Sequence, residues 1–391
     1  MINSWPFYDN SEIDSAIRVL KSGCVNAWTG SETNCFENEF SKWCGSSRSI
    51  AVSNGSLALS LAYLALKFSS NDEVITTPRT FIATASSAVL LGTKPIFADV
   101  DENSGCITAE TIEPLINDRT KAICVVHLGG WPAEMESICS LASTYDIKVV
   151  EDCAQAHGAQ ILVNGDWKSV GTFGDVSAWS FCQDKIMTTG GEGGMVTTNS
   201  EEYFNQMWSF KDHGKTRQAV FEKEHSPGYR WLHERFGSNF RLTELQSAIG
   251  RIQLQRMPEW NKLRSKNAQI LINLLSNCKV VSIPIPSDNF KHAWYKFHCY
   301  VNINALKSDW SRDRIVAEIL ASGYPAFHGS CSEIYLEKCF KNAGLSPSDR
   351  LPMAKKLGQT SLMFLVHPTI STEQMISYGE TILTVLEKAS L

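Results

Sequence analysis

Between residues 50 and 200, short apolar runs alternate with longer segments whose apolar positions recur every three or four residues. The short runs fall at 50–53, 74–76, 95–100, 122–127, 147–152, 176–181 and 195–198, each of strand length rather than helix length. Helical rhythm occupies 56–67, 80–91, 109–116 and 133–145. Such alternation predicts a seven-stranded, mostly parallel sheet covered by helices on both faces. Ahead of it, Ile13, Ile17 and Leu20 share one face of a helix expected over 11–21, with Ser11 as its N-cap and Gly23 closing its end.

Past the sheet, a helix over 201–213 leads into a polar stretch at 215–235. Helical periodicity returns over 242–257, where Pro258 is expected to end it before a second helix runs to 276. The remainder holds a strand at 294–301 and helices at 312–322 and 372–386. The fold class is therefore α/β, with a large domain over 1–260 and a smaller α+β domain over 261–391.

Length and composition agree with this picture. A chain of 391 residues, 43% of them hydrophobic, can fill two cores. A net charge of −5 with scattered Lys and Arg offers no surface for nucleic acid. The twelve cysteines stand singly, without a Cys-x-x-Cys pair, and read as reduced thiols of a cytoplasmic protein. No secretory leader and no apolar span long enough for a bilayer is expected. His292, His298, His328 and His367 lack metal-ligand spacing, so no metal is expected.

Two stretches carry candidate chemistry. In Ser177 to Asn199, Lys185 lies between two strand-like runs and is followed by Gly190, Gly191, Gly193 and Gly194. A lysine amine withdrawn from water can condense with an aldehyde, which is how proteins hold pyridoxal phosphate (PLP), and the glycines let the backbone pass close under a flat cofactor. Taken alone, the stretch is read more simply as a surface lysine before a glycine turn. Upstream, the strand 147–152 ends in Glu151 and Asp152, where open α/β sheets gather functional groups. An aspartate there either caps the next helix or keeps a pyridine nitrogen protonated. The turn at Asn54 and Gly55 opens a helix whose free N–H groups can take a phosphate, though an ordinary buried strand-turn-helix has the same pattern.

The order and spacing of Ser53-Asn-Gly-Ser-Leu-Ala-Leu59, Thr80-Phe-Ile-Ala-Thr84, Glu151-Asp-Cys-Ala-Gln-Ala-His-Gly158, Ser180-Phe-Cys-Gln-Asp-Lys185, Gly190-Gly-Glu-Gly-Gly194 and Gly237-Ser-Asn-Phe-Arg-Leu-Thr-Glu-Leu-Gln246 resemble the DegT/DnrJ/StrS sugar aminotransferases. These belong to the aspartate aminotransferase-like, fold-type I PLP enzymes. The resemblance implies that Lys185 tethers the cofactor, Asp152 pairs with its ring nitrogen and Gln155 bonds its ring hydroxyl. Phe81 would stack on the ring, while Gly55, Ser56 and Ser180 hold the phosphate. It further implies a homodimer in which Asn239 reaches the partner's cofactor phosphate.

A nucleotide-linked keto sugar would be the acceptor and L-glutamate the amino donor, in surface polysaccharide or O-antigen biosynthesis. Lys215, Arg217, Tyr229 and Arg230, together with His328, are the substrate-binding candidates, because guanidinium and aromatic groups suit a nucleoside diphosphate. The likeness of Thr188 to Gly194 to the perosamine-type branch points to C4 of a 4-keto-6-deoxy sugar. Alternatives are amination at C3 or of a cyclitol, a lyase, and a non-catalytic regulatory protein. The run His127 to Pro132 departs from the family, which has a bulky aromatic near Gly129, and Trp131 is expected to fill that space.

Overall fold

The computed structural model describes residues 2–391. Helix α1 (Asn10–Ser22) is capped by Asp9 rather than Ser11: the Asp9 carboxylate accepts the Ser11 N–H at 2.7 Å, and Glu12 accepts the Asp9 N–H at 3.1 Å. Its expected apolar face is turned outward, with Ile13, Ile17 and Leu20 exposed at 49, 41 and 62%. Glu12, Ser15 and Val19 face inward instead, because Glu12 is bound by Gln253 and Arg256, each at 3.0 Å.

The chain continues through α2 (Glu32–Cys44), β1 (Arg48–Val52), α3 (Gly55–Ala65), β2 (Glu73–Thr76), α4 (Ala83–Val89), β3 (Lys94–Phe97), α5 (Ala109–Ile112), β4 (Thr120–Val126), α6 (Met135–Thr144) and β5 (Lys148–Asp152). A hairpin, β6 (Gln160–Val163) with β7 (Asp166–Ser169), precedes β8 (Val176–Ser180) and β9 (Gly194–Thr198). The seven expected strands form one sheet in the order β1-β9-β8-β5-β4-β2-β3. Only β9 runs antiparallel to its neighbours. Helix α4 starts later than expected and leaves Thr80 and Phe81 in the turn before it, where the Thr80 and Thr84 hydroxyls share a hydrogen bond of 2.8 Å. Helix α5 is cut short because Pro114 tightens the next turn into a 3-10 conformation.

After α7 (Glu201–Lys211) comes α8 (Glu244–Leu275), one 32-residue helix that passes straight through Pro258. The missing N–H forfeits one bond, while Leu254, Met257 and Trp260 are buried on either side and hold the helix together. The rest comprises β10 (Val281–Ser282), β11 (Phe290–Lys291), β12 (Phe297–Val301), α9 (Arg312–Ala321), α10 (Lys338–Asn342), α11 (Pro352–Thr360), β13 (Ser361–Phe364) and α12 (Thr372–Ala389). Strands β10, β12 and β13 make a second sheet, and β11 adds to the β6–β7 hairpin. Strand β12 begins only at Phe297: residues 293–296 form a strap whose Ala293 and Tyr295 N–H groups donate to Gly130 and Gly129 carbonyls at 2.8 and 3.0 Å.

The sheet is anchored at the end of β5 by Glu151, which is fully buried. Its oxygens accept the N–H groups of Gly171, Phe173 and Gly174 at 2.7, 2.9 and 2.7 Å. The His127 ring takes the Ala133 N–H on Nδ1 at 3.0 Å and therefore donates from Nε2 to Glu151 at 3.1 Å. Cys153 lies close enough to complete a metal-like trio with these two residues, but both ring nitrogens and both carboxylate oxygens are already used. The trio is a hydrogen-bonded knot. Glu151→Ala would leave three buried N–H groups without an acceptor, and we expect it to cost about 3–5 kcal/mol. A urea midpoint within error of wild type, at unchanged slope, would refute this role.

Candidate active site

A cavity of about 600 Å³ opens at the carboxyl ends of β5 and β8, beside the start of α3. It brings together Gly55, Ser56, Phe81, Asp152, Gln155, Ser180 and Lys185. Asp152 is the last residue of β5, and the alternation of side chains along a strand sends it to the opposite face from Glu151. Thr84 Oγ1 donates to its Oδ2 at 2.7 Å and the Ala154 N–H to its Oδ1 at 3.1 Å. Among the described residues no cation lies within ion-pair distance of it, and burial outweighs these neutral donors to push its pKa up.

Gln155 is fixed through its Oε1, which accepts the Gly129 N–H at 2.7 Å and leaves Nε2 to donate into the cavity. At the start of α3, the Asn54 side chain caps Leu57, so the first-turn N–H groups of Gly55 and Ser56 remain for an anion. A Cβ on Gly55 would stand 2.6 Å from Ser180 Cβ, and one on Gly194 would stand 2.5 Å from the Asn54 carbonyl oxygen. Only glycine allows β9, β8 and α3 to meet this closely. Phe81 projects over the opening, 67% exposed.

The side chain of Lys185 is 14% exposed, and its carbonyl accepts the Trp5 indole N–H at 2.8 Å. Its Nζ lies 3.7 Å from Asp184 Oδ1 and 5.1 Å from the centre of the Tyr295 ring. Gly190 and Gly191 adopt φ of 82° and 122°, the left-handed region that the turn after Lys185 requires.

Sequence reasoning missed Thr84, Asp184 and Tyr295. The first two lie inside stretches already singled out by motif, Thr84 one turn after Thr80 and Asp184 beside Lys185. Tyr295 gives no local signal, since its place depends on the strap crossing to Gly129.

Other candidates lie elsewhere. Trp131 does not line this cavity; it sits edge-on to His292 at 5.7 Å, because the left-handed turn at Gly129 and Gly130 carries the chain away. Lys215 is held 3.3 Å from Asp212 and lies 4.5 Å over the Trp28 ring. Arg217 lies over Phe204, Trp208 and Phe221 at 5.4 to 5.5 Å. Tyr229 is 76% exposed against Trp231, and Arg230 is exposed. His328 is on the surface, 3.5 Å from Asp313. Asn239 is exposed too, and among the described residues its side chain accepts only the Arg241 N–H, at 3.3 Å; Thr243, not Asn239, caps α8.

Comparison with known proteins fits this geometry. A model of the DegT/DnrJ/EryC1/StrS aminotransferase family matches residues 6–382. The chain belongs to this family. An aminotransferase from Psychrobacter cryohalolentis, of solved structure, superposes with a TM-score of 0.97 at 50% identity, covering 100% of both chains. GDP-perosamine synthase of Escherichia coli O157:H7 is 33% identical over 96% of this chain and 97% of its own. The dTDP-3-amino-3,6-dideoxy-alpha-D-galactopyranose transaminase of Aneurinibacillus thermoaerophilus is 37% identical over 73% of this chain and 74% of its own.

As a member of this aminotransferase family the protein is a PLP enzyme, and the site fits that cofactor. A buried carboxylate without a cation, a helix start with free N–H groups and a lysine amine border one cavity, matching a pyridinium nitrogen, a phosphate and an aldehyde. Asp152→Asn should keep the fold, because the amide is uncharged and retains the Thr84 contact, yet lower turnover at least about 100-fold. Near-normal turnover with full cofactor occupancy would remove Asp152 from this role.

Proposed function

We propose that this family member moves an amino group from L-glutamate to a nucleotide-linked keto-deoxy sugar, at C4 of a 4-keto-6-deoxy sugar, for surface polysaccharide or another glycan. The observation that carries the reading is the convergence of Lys185, Asp152 and Gln155 in one cavity with the anion-binding start of α3. Bound PLP supplies the electron sink on which the amino group changes hands. Asp152 keeps the ring nitrogen protonated, Gln155 Nε2 orients the ring hydroxyl, and Phe81 covers the ring face. Gly55, Ser56 and Ser180 hold the phosphate. Lys185 would tether the cofactor and, when its amine is free, would hold or release a proton at Nζ beside the donor carbon.

The perosamine relative supports C4. The 37% identical relative, whose name places the amine at C3, makes C3 the competing outcome. A cyclitol aminotransferase, 29% identical over 94% of the chain, supports a third acceptor class. The deciding experiment offers the enzyme and glutamate a panel of nucleotide-linked 3-keto and 4-keto sugars and keto-cyclitols, with products read by mass and NMR. Amination of a 4-keto sugar is expected; turnover confined to another class would replace this reading.

The division into a large and a small part near residue 260 belongs to the same proposal, as does a cytoplasmic homodimer in which Asn239, Lys215, Arg217, Tyr229, Arg230 and His328 serve nucleotide and phosphate contacts. Exposed Asn239, which its own chain does not use as a helix cap, supports its reaching a partner's site. Mixing inactive Lys185→Ala with inactive Asn239→Asp should regenerate one intact site per heterodimer. Proven subunit exchange with no recovered activity would sink the shared site.

A further inference from the structure

Asp184 is not accounted for by the chemistry above. It borders the cavity directly before Lys185, with Oδ1 3.7 Å from the lysine Nζ. Its other oxygen accepts the Tyr295 hydroxyl at 2.5 Å. Tyr295 belongs to the strap that crosses from the small part of the chain, and its own N–H is bonded to Gly129. Arg264 of α8 fixes that strap from behind by donating to the Trp294 and Tyr295 carbonyls, each at 3.3 Å. The carboxylate is thus pinned from one side and aimed at the lysine on the other.

We propose that Asp184, held by Tyr295, is the positioning residue that aims the Lys185 amine once the lysine is free of the cofactor and pairs with the ammonium formed when that amine takes up a proton. The proposal rests on Lys185 being the tether only for its catalytic meaning, since the ion pair itself lies within this chain. A displaced lysine must stay at the reacting carbon rather than swing into solvent, and a fixed counter-charge does this without occupying the cofactor's place.

The remaining charged and titratable neighbours oppose or merely frame the pair. Asp152 and His157 approach from the end of β5, and burial draws His157 down to about 3, leaving it uncharged. Cys182, with Glu192 beyond it, lies on the lysine's own turn. Lys296 on the strap is drawn down to about 8, by burial first and then by Arg264. Burial alone would push Asp184 up, but Lys185, the Tyr295 hydroxyl and Lys296 together hold it below the ordinary carboxylate range. Asp184 is therefore the carboxylate whose charge Lys185 meets at ion-pair distance among the described residues.

The test compares wild type, Asp184→Asn and Tyr295→Phe in the full-length protein, freed of cofactor and labelled on Lys185 by acetic anhydride at graded pH, with the modified peptide quantified by mass. Asp184→Asn should be labelled about tenfold faster near pH 8, the low end for an opposite charge at this distance because the Asp184 side chain is 51% exposed. The difference should vanish at a pH where every lysine is neutral, whereas altered access would persist at all pH values. With PLP bound, the pH midpoint of the visible band should fall by about one pH unit in the same variant. Tyr295→Phe should change labelling only while residue 184 is a carboxylate, so the double variant should match Asp184→Asn. Identical labelling profiles for wild type and Asp184→Asn would overturn the proposal. Borohydride fixing the cofactor on a peptide without Lys185 would instead overturn the tether and leave the labelling result to decide the ion pair.

Discussion

Two carboxylates on adjacent residues at the end of β5 receive opposite treatment, and the site depends on the contrast. Glu151 is turned to one face of the sheet and collects three backbone N–H groups, the His127 ring and the Ser177 hydroxyl. Burial would raise its pKa, but the His127 ring and these donors outweigh burial and hold it below the usual carboxylate range. Asp152, on the other face, has two neutral donors, and there burial prevails. The first carboxylate is satisfied and structural. The second is under-compensated and open to a positive partner, so a single strand end supplies the anchor of the sheet and, in the proposed function, the receptor for a pyridinium nitrogen.

The strap at residues 293–296 joins the stretch after α8 to the wall of the same cavity. Gly129 gives its N–H to Gln155 and its carbonyl to Tyr295, while Gly130 accepts the Ala293 N–H. A Cβ on Gly130 would stand 2.9 Å from the Trp294 nitrogen, so this crossing needs glycine. On its other side Tyr295 bonds Asp184. Any shift of the strap therefore reaches Gln155 and the Lys185 ion pair together, through the Gly129 contacts on one side and the Tyr295 hydroxyl on the other. Arg264, buried and drawn down to about 9 by desolvation, is kept in place by the carbonyls it serves in that strap.

What the sequence made legible follows from how local its causes are. Seven strands were readable because each is a buried apolar run between turns, and the cavity residues were readable because they sit at strand ends and at one helix start. The β6–β7 hairpin was not, since its residues alternate weakly and its third strand comes from 130 residues away. Pro258 misled because its local cost, about 3 kcal/mol, is overridden by burial on both sides. The inward face of α1 was misjudged for a similar reason: its polar Glu12 is satisfied by α8, an arrangement no periodicity reveals. Tyr295 and Asp184 meet across 111 residues, and neither carries a mark of the other.

The residues that do not reach the cavity share a physical condition. Tyr229, Trp231 and Phe236 are 76, 85 and 100% exposed, and the apolar face of α1 is half-exposed as well. Aromatic surface left in water on this scale forgoes on the order of 1.5–3 kcal/mol per side chain, which a chain recovers only by covering it. Lys215 and Arg217 nearby are already engaged with Asp212, Trp28 and the aromatic cluster, so the stretch is not a loose loop throughout; it is fixed at its start and open toward its middle. In the proposed dimer a two-fold contact through this stretch would cover the aromatics as it brought Asn239 to a phosphate, so burial and site completion would draw on one interface.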